Sequence, residues 1–121
     1  MSKIVRAVNA MISHKDKIGD VHANGDELYF SFDNKYIWSV AKKKDDIDTR
    51  LYMYPDSTSA KDLSYLEDFQ FEDVNVIIYD SKELNTVEAR DSFSELYSIV
   101  KENLFGVEDV LDSIISKYED F

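Results

Sequence analysis

Cysteine is absent from the 121-residue chain, which removes disulfides, thiolate metal sites and cysteine nucleophiles together. Histidine is scarce: His14 and His22 bracket a glycine-containing turn and lack the His-x-x-x-His or comparable spacing that holds a metal. Three glycines cannot supply a phosphate-cradling loop or a dinucleotide fingerprint, and none of the thirteen serines stands in a Gly-x-Ser-x-Gly elbow. With a single proline as well, little material is left for linkers. Long apolar runs are missing too. The amino terminus, Met1-Ser2-Lys3-Ile4-Val5-Arg6, has none that suits a signal peptide, and nothing later approaches the roughly 20 apolar residues of a membrane span. The expectation is a soluble, cytoplasmic protein without cofactor or metal.

What is present is a core's worth of apolar side chains and an uneven charge. Hydrophobic residues make up 44% of the chain and sixteen are aromatic, which suits one domain spanning residues 1–121 and argues against disorder. The net charge is −11, and it is concentrated. Residues 1–50 hold nine Lys/Arg and eight Asp/Glu, whereas residues 51–121 hold five and seventeen, so the halves carry +1 and −12. Like charges gathered on one part of a small domain repel, and a basic partner relieves that repulsion. The same acidity disfavours nucleic acid and anionic membranes, because phosphate binding needs clustered Lys/Arg.

Periodicity predicts an α+β fold: an N-terminal helix, an antiparallel meander of about four strands, a short inserted helix and two C-terminal acidic helices. Ile4, Val5, Val8, Met11 and Ile12 share one side of a helix over 2–15. Asn24-Gly25 is a turn signal before the alternating strand around Leu28, Phe30 and Phe32, and Asp33-Asn34 turns the chain into Tyr36-Ile37-Trp38-Ser39-Val40. Leu51-Tyr52-Met53-Tyr54 reads as a strand closed by Pro55, and Val74-Asn75-Val76-Ile77-Ile78-Tyr79 as a fourth. Between them, Ser57 or Thr58 can cap a short helix through about Phe69. Asn85 and Glu88 have the spacing of a capping box for a long helix with Ala89, Phe93, Leu96, Tyr97, Val100 and Leu104 inward. Past Gly106, Val107, Val110, Leu111, Ile114, Ile115 and Tyr118 make a second stripe.

Strand parity puts Leu28, Phe30, Phe32, Tyr36, Trp38, Val40, Leu51, Met53, Val74, Val76 and Ile78 on one face of the sheet. Tyr29, Ile37, Tyr52, Tyr54, Ile77 and Tyr79 fall on the other. Either helices cover both faces, or part of the tyrosine-rich face, with Tyr52 and Tyr54, is exposed for recognition. On the C-terminal helices Glu88, Asp91, Glu95 and Glu102, then Glu108, Asp109, Asp112 and Glu119, project away from the apolar stripes. Solvation alone explains acids on an outer face. It does not explain their single sign, since most such faces interleave Lys with Glu, and here only Arg90, Lys101 and Lys117 offer counter-charge.

The remaining clusters carry little chemistry. Asp45-Asp46-Ile47-Asp48 lacks the glycine of a calcium loop and adjoins Lys42-Lys43-Lys44, so it reads as a solvated loop. That lysine run could also meet the acidic helices of another copy, which leaves a homodimer open. In size, acidity and tyrosine content the chain resembles small bacterial proteins that neutralise a toxin enzyme, such as nuclease immunity proteins, and phage-encoded inhibitors that mimic nucleic acid. The resemblance is one of composition, rests on no motif and transfers no residue roles.

The expected function is therefore non-enzymatic binding: a stoichiometric inhibitor or immunity-type neutraliser of a basic protein. Its contact surface would be Glu88, Asp91, Glu95, Glu102, Glu108, Asp109, Asp112, Tyr52 and Tyr54. Two rivals stand beside it. One is a small enzyme or ligand-binding protein with an apolar pocket lined by Trp38, Tyr52 and Tyr54, and the other an adaptor subunit of a larger assembly.

Overall fold

A computed structural model describes residues 2–42 and 45–119. Helix α1 spans Lys3–Ser13, capped by Ser2, whose hydroxyl accepts the Val5 N–H at 3.4 Å. A short 3₁₀ turn, Lys15–Lys17, leads into β1 (Ile18–Asn24). Strands β2 (Glu27–Phe32), β3 (Tyr36–Ala41) and β4 (Arg50–Met53) follow. Then come α2 (Ala60–Ser64), a 3₁₀ segment (Asp68–Asp73) and β5 (Ile77–Asp80). One-turn α3 (Ser81–Leu84), α4 (Val87–Phe105) and α5 (Val107–Tyr118) complete the order. The expected α+β class stands, with five strands rather than four.

All strand pairs are antiparallel and the spatial order is the chain order, β1-β2-β3-β4-β5. Two tight turns set the register. Gly25 adopts φ 62°, and Asp33 and Asn34 adopt φ 56° and 53° in a turn closed by the Lys35 N–H donating to the Phe32 carbonyl at 3.2 Å. Successive left-handed residues match the twist of a hairpin, and Asp and Asn tolerate that region better than most side chains. The strand missing from the sequence reading is β1. Its register shifts between Gly19 and His22, with Asp20 at φ 51°, and the bulge destroys the alternation that identifies a strand.

One face of the sheet carries the main core. Leu28, Phe30, Trp38, Val40 and Leu51 are buried there against Val5, Val8 and Met11 of α1 and Ala89, Phe93, Leu96 and Val100 of α4. Phe30, Trp38 and Met53 sit side by side across β2, β3 and β4, as the alternation predicts. The expected parity of the last strand is corrected: Ile77 pairs with Met53 and Tyr79 with Leu51, so those two share the main-core face and Ile78, paired with Tyr52, lies on the opposite one. The 3₁₀ segment runs to Asp73 and the strand starts only at Ile77, where its pairing register with β4 sets which residues face the main core.

The opposite face holds a second, smaller core of Tyr29, Ile37, Tyr54, Ala60 and Leu63, with Tyr52, Leu66, Phe71 and Val74 packed against it. Helix α2 starts at Ser59, whose hydroxyl accepts from Asp62 N–H, rather than at Ser57 or Thr58, and ends at Ser64. Thr86, not Asn85, caps α4; Asn85 closes the preceding turn in the left-handed conformation at φ 51°. Gly106, at φ 63°, ends α4 and starts α5. Whereas α4 docks on the sheet and α1, α5 contacts chiefly α4 and has no buried residue, so the second C-terminal helix does not close the core.

Trp38 is 7% exposed. Trp38→Ala should cost about 3–5 kcal/mol in denaturant unfolding, as expected for a large aromatic removed from a packed interior. A loss below about 1 kcal/mol would remove Trp38 from the core.

Candidate interaction surface

The acidic face of α4 follows from how the helix is held. Its inward residues Ala89, Phe93, Leu96 and Val100 are locked in the main core, and the polar Ser92 on the same side donates to Asn9 Oδ1 of α1 at 2.6 Å. Near its end, Asn103 Nδ2 donates to the Ile18 carbonyl at 3.0 Å, tying the helix to β1. With rotation thus fixed, Glu88, Asp91, Glu95 and Glu102 lie within about 60° of arc on the outer side, and all four are exposed.

Three of the nearby cations, Arg90, Lys101 and Lys42, are engaged by other groups. Arg90 Nε donates to Asp48 Oδ1 at 3.1 Å, and its Nη2 to Asn85 Oδ1 at 3.1 Å. Asp48 also accepts from Ser81 Oγ at 2.9 Å, so this pair fastens the β3–β4 loop to the start of α4. Lys101 Nζ stands over the Tyr97 ring at 6.0 Å, and Lys42 Nζ donates to Ser94 Oγ at 3.1 Å. Among the described residues no ion pair includes Glu88, Asp91, Glu95, Glu102, Glu108, Asp109 or Asp112. The remaining lysines of the basic run, Lys43 and Lys44, lie outside the described residues.

The elbow at Gly106 brings the two acidic helices onto one groove. Glu102, Glu108 and Asp109 line it with Ile18, Ile99 and Val107, and Lys15 and Asp16 form its far wall; its volume is about 360 Å³. Glu88 lies in a separate groove at the other end of α4, beside Ser2, Val5, Leu84 and Thr86. Asp112, one turn into α5, is exposed. The expected acids thus form a run along α4 that turns onto α5.

The two tyrosines do not join them. Tyr54 is 3% exposed and packs in the second core, 6.1 Å from the Tyr29 ring, so it offers no contact surface and is removed from the expected set. Tyr52 is half-buried on the same face, away from α4. The apolar pocket expected between Trp38, Tyr52 and Tyr54 is not formed, because Trp38 belongs to the main core and the tyrosines to the second.

A half-buried polar cluster, invisible as a motif, stands on the second-core face instead. Glu27 Oε2 accepts from Ser39 Oγ at 2.6 Å and from Tyr54 Oη at 3.2 Å, with Ser39 Oγ and Tyr54 Oη 2.8 Å apart. It borders a groove of about 280 Å³ lined by Asn24, Asp26, Asp46, Asp48, Arg50 and Tyr52. Arg50 Nε donates to Asp80 Oδ2 at 3.2 Å, which, with Tyr52, holds its guanidinium above the ordinary arginine range. The sequence signal was parity alone: Glu27, Tyr29 and Ser39 occupy positions where strands face the second core. Among the described residues no group of three or more His, Cys, Asp and Glu side chains could hold a metal ion. His14 Nδ1 lies 3.0 Å from the Ala10 carbonyl, and His22 Nε2 2.7 Å from Asp20 Oδ1. No helix among the described residues is long and apolar enough to cross a membrane.

No family model, curated protein or solved structure matches the chain.

Burial, with the nearby Glu27 carboxylate, pushes the Tyr29 and Tyr54 hydroxyls well above the ordinary tyrosine value. A raised folded-state value means that the folded protein keeps these protons while the unfolded chain loses them. Stability is therefore complete below about pH 10 and falls as pH rises past it. Tyr54→Phe should cost about 1–3 kcal/mol at neutral pH, by stripping buried Ser39 and half-buried Glu27 of a partner, and should flatten the alkaline decline in chemical denaturation. A decline of equal steepness in the variant would assign the alkaline loss to other groups.

Proposed function

We propose that this protein is a non-enzymatic acidic binding protein that neutralises a basic partner, of the kind that handles nucleic acid or acts as a toxin. The observation that carries this reading is the row of carboxylates from Glu88 along α4 to Asp112 on α5, none in an ion pair among the described residues, beside cations held by Asp48, Ser94 and the Tyr97 ring. An outer helix face needs only solubility, and mixed charge provides that with a few tenths of a kcal/mol per pair in addition. A single-sign face forgoes that gain. Its compensating effect is a field that speeds encounter with an oppositely charged surface and rejects like-charged ones. In this reading Glu88, Asp91, Glu95, Glu102, Glu108, Asp109 and Asp112 meet Lys and Arg around the partner's active site or nucleic-acid channel. No proton transfer or metal is required, and neither histidine takes part.

Affinity capture from the host, with the isoelectric point of the captured protein, identifies the partner for kinetics. Reversing Glu88, Asp91 and Glu95 to Lys should slow association by about tenfold or more at low salt and reduce its salt dependence, since each change replaces long-range attraction with repulsion. Reversing Asp68, Glu72 and Asp73, exposed in the 3₁₀ segment beside the second core, makes the same change in net charge and should do much less. Each triple should leave the fold intact, because exposed substitutions change stability by about 0.5 kcal/mol or less each. Stopped-flow binding at two ionic strengths separates the outcomes. Equal effects of the two triples would reduce the acidic face to ordinary solvation.

A further inference from the structure

Helix α5 is amphipathic, and its apolar stripe is exposed. Val110, Leu111, Ile114, Ile115 and Tyr118 are between 48% and 75% exposed, and no residue of the helix is buried. At twelve residues it is near the length below which an isolated helix is marginal in water, and its anchor is the Gly106 elbow. A contiguous apolar stripe on so short a helix marks a contact site rather than scattered surface exposure.

The charges beside the stripe identify what covers it. At 3.6 residues per turn, Glu108, Asp112 and Glu119 fall within about 40° of one another along the flank next to Ile115, while Lys117 is the one cation on the opposite flank beside Val110, where Asp109 shares its groove. A second copy fits poorly. An antiparallel two-fold pair sets like flanks side by side, so the three acids of one α5 would face the same three of the other. A parallel pair would set one lysine against three acids, align the helix dipoles, and join two chains of −11 each. An anionic membrane would be repelled by the same flank.

We infer that α5 is a docking helix whose apolar stripe is covered by a helical surface of another protein bearing Lys or Arg along one flank. This rests on the proposed acidic binding function and adds an apolar anchor to it: the carboxylates of α4 set the encounter, and the α5 stripe holds the complex. Arg and Lys opposite Glu108, Asp112 and Glu119 fix which way the partner helix runs, as flanking charges do in paired helices.

The test uses the full chain and two fluorescent amphipathic peptides of about 20 residues, with identical Leu stripes and either Lys or Glu along one flank. Anisotropy should show the Lys peptide binding at least about tenfold tighter than the Glu peptide, with the difference shrinking at high salt. The double variant Leu111→Ser, Ile114→Ser should weaken Lys-peptide binding by about tenfold or more, through lost apolar contact, while leaving the thermal midpoint unchanged because neither side chain is in the core. Equal binding of the two peptides, or binding of neither, overturns the inference. So does stronger association with phosphatidylcholine or phosphatidylserine vesicles, or a dimer in sedimentation that the double variant dissolves. The captured basic protein separates this inference from the acidic-face reading. Binding lost in the α4 triple but kept in Leu111→Ser, Ile114→Ser leaves the acidic face standing and removes the docking helix; the reverse pattern keeps the helix and removes the acidic face.

Discussion

Helix α4 packed against both α1 and the sheet is the contact on which the rest of the molecule depends. Ala89, Phe93, Leu96 and Val100 are fully buried there, facing Phe30, Val40 and Leu51 from one side and Val5 and Val8 from another. Each large apolar side chain so buried contributes roughly 1.5–3 kcal/mol, so this one helix supplies stabilisation comparable with the whole net stability of a typical domain. The hydrogen bonds from Ser92 to Asn9 and from Asn103 to Ile18 add little by that measure but fix rotation and axial position. Because the inward side is fixed, the outward side is too. The row of carboxylates from Glu88 to Glu102 is the reverse of the core contact.

The sheet divides its two faces between different kinds of interior. The α1/α4 face is almost wholly apolar, whereas the opposite face admits Glu27, Ser39 and Tyr54, which satisfy one another under α2 and the segment that follows. A carboxylate at the margin of a core is tolerated only because two hydroxyls accompany it. That internal use of Tyr54 explains why tyrosine content is a poor guide to a recognition surface in this chain.

The sequence made some of this legible and concealed the rest for physical reasons. Turn chemistry at Asn24-Gly25 and Asp33-Asn34 is local, so both turns and the β2–β3 hairpin could be read directly. The bulge at Gly19 to His22 hid β1, since a strand without alternation resembles a loop. Around β5, the apolar run Val76-Ile77-Ile78-Tyr79 carries no parity, and pairing with β4 alone decides that Ile77 and Tyr79 share the main-core side. Charge on α4 and α5 was visible from composition. The engagement of Arg90 by Asp48, 42 positions away, was not, because it depends on the β3–β4 loop reaching the start of α4. Likewise the stripe of α5 is plain as a period, but nothing in a period says whether the chain covers it.

The order of the strands has a consequence for how the chain is made. A meander whose neighbours in space are neighbours in sequence can zip up from β1 to β4 as it leaves the ribosome, at low loop-closure cost, with β5 added after α2 and the 3₁₀ segment. Its main apolar face cannot be closed at that stage, because the Asn9 to Ser92 bond and the Phe93, Leu96 and Val100 contacts wait for residues some 80 positions later. At roughly 5–20 residues per second, α1 and the sheet stand for several seconds with Phe30, Trp38 and Val40 uncovered, an interval in which a nascent chain is open to chaperones and to aggregation.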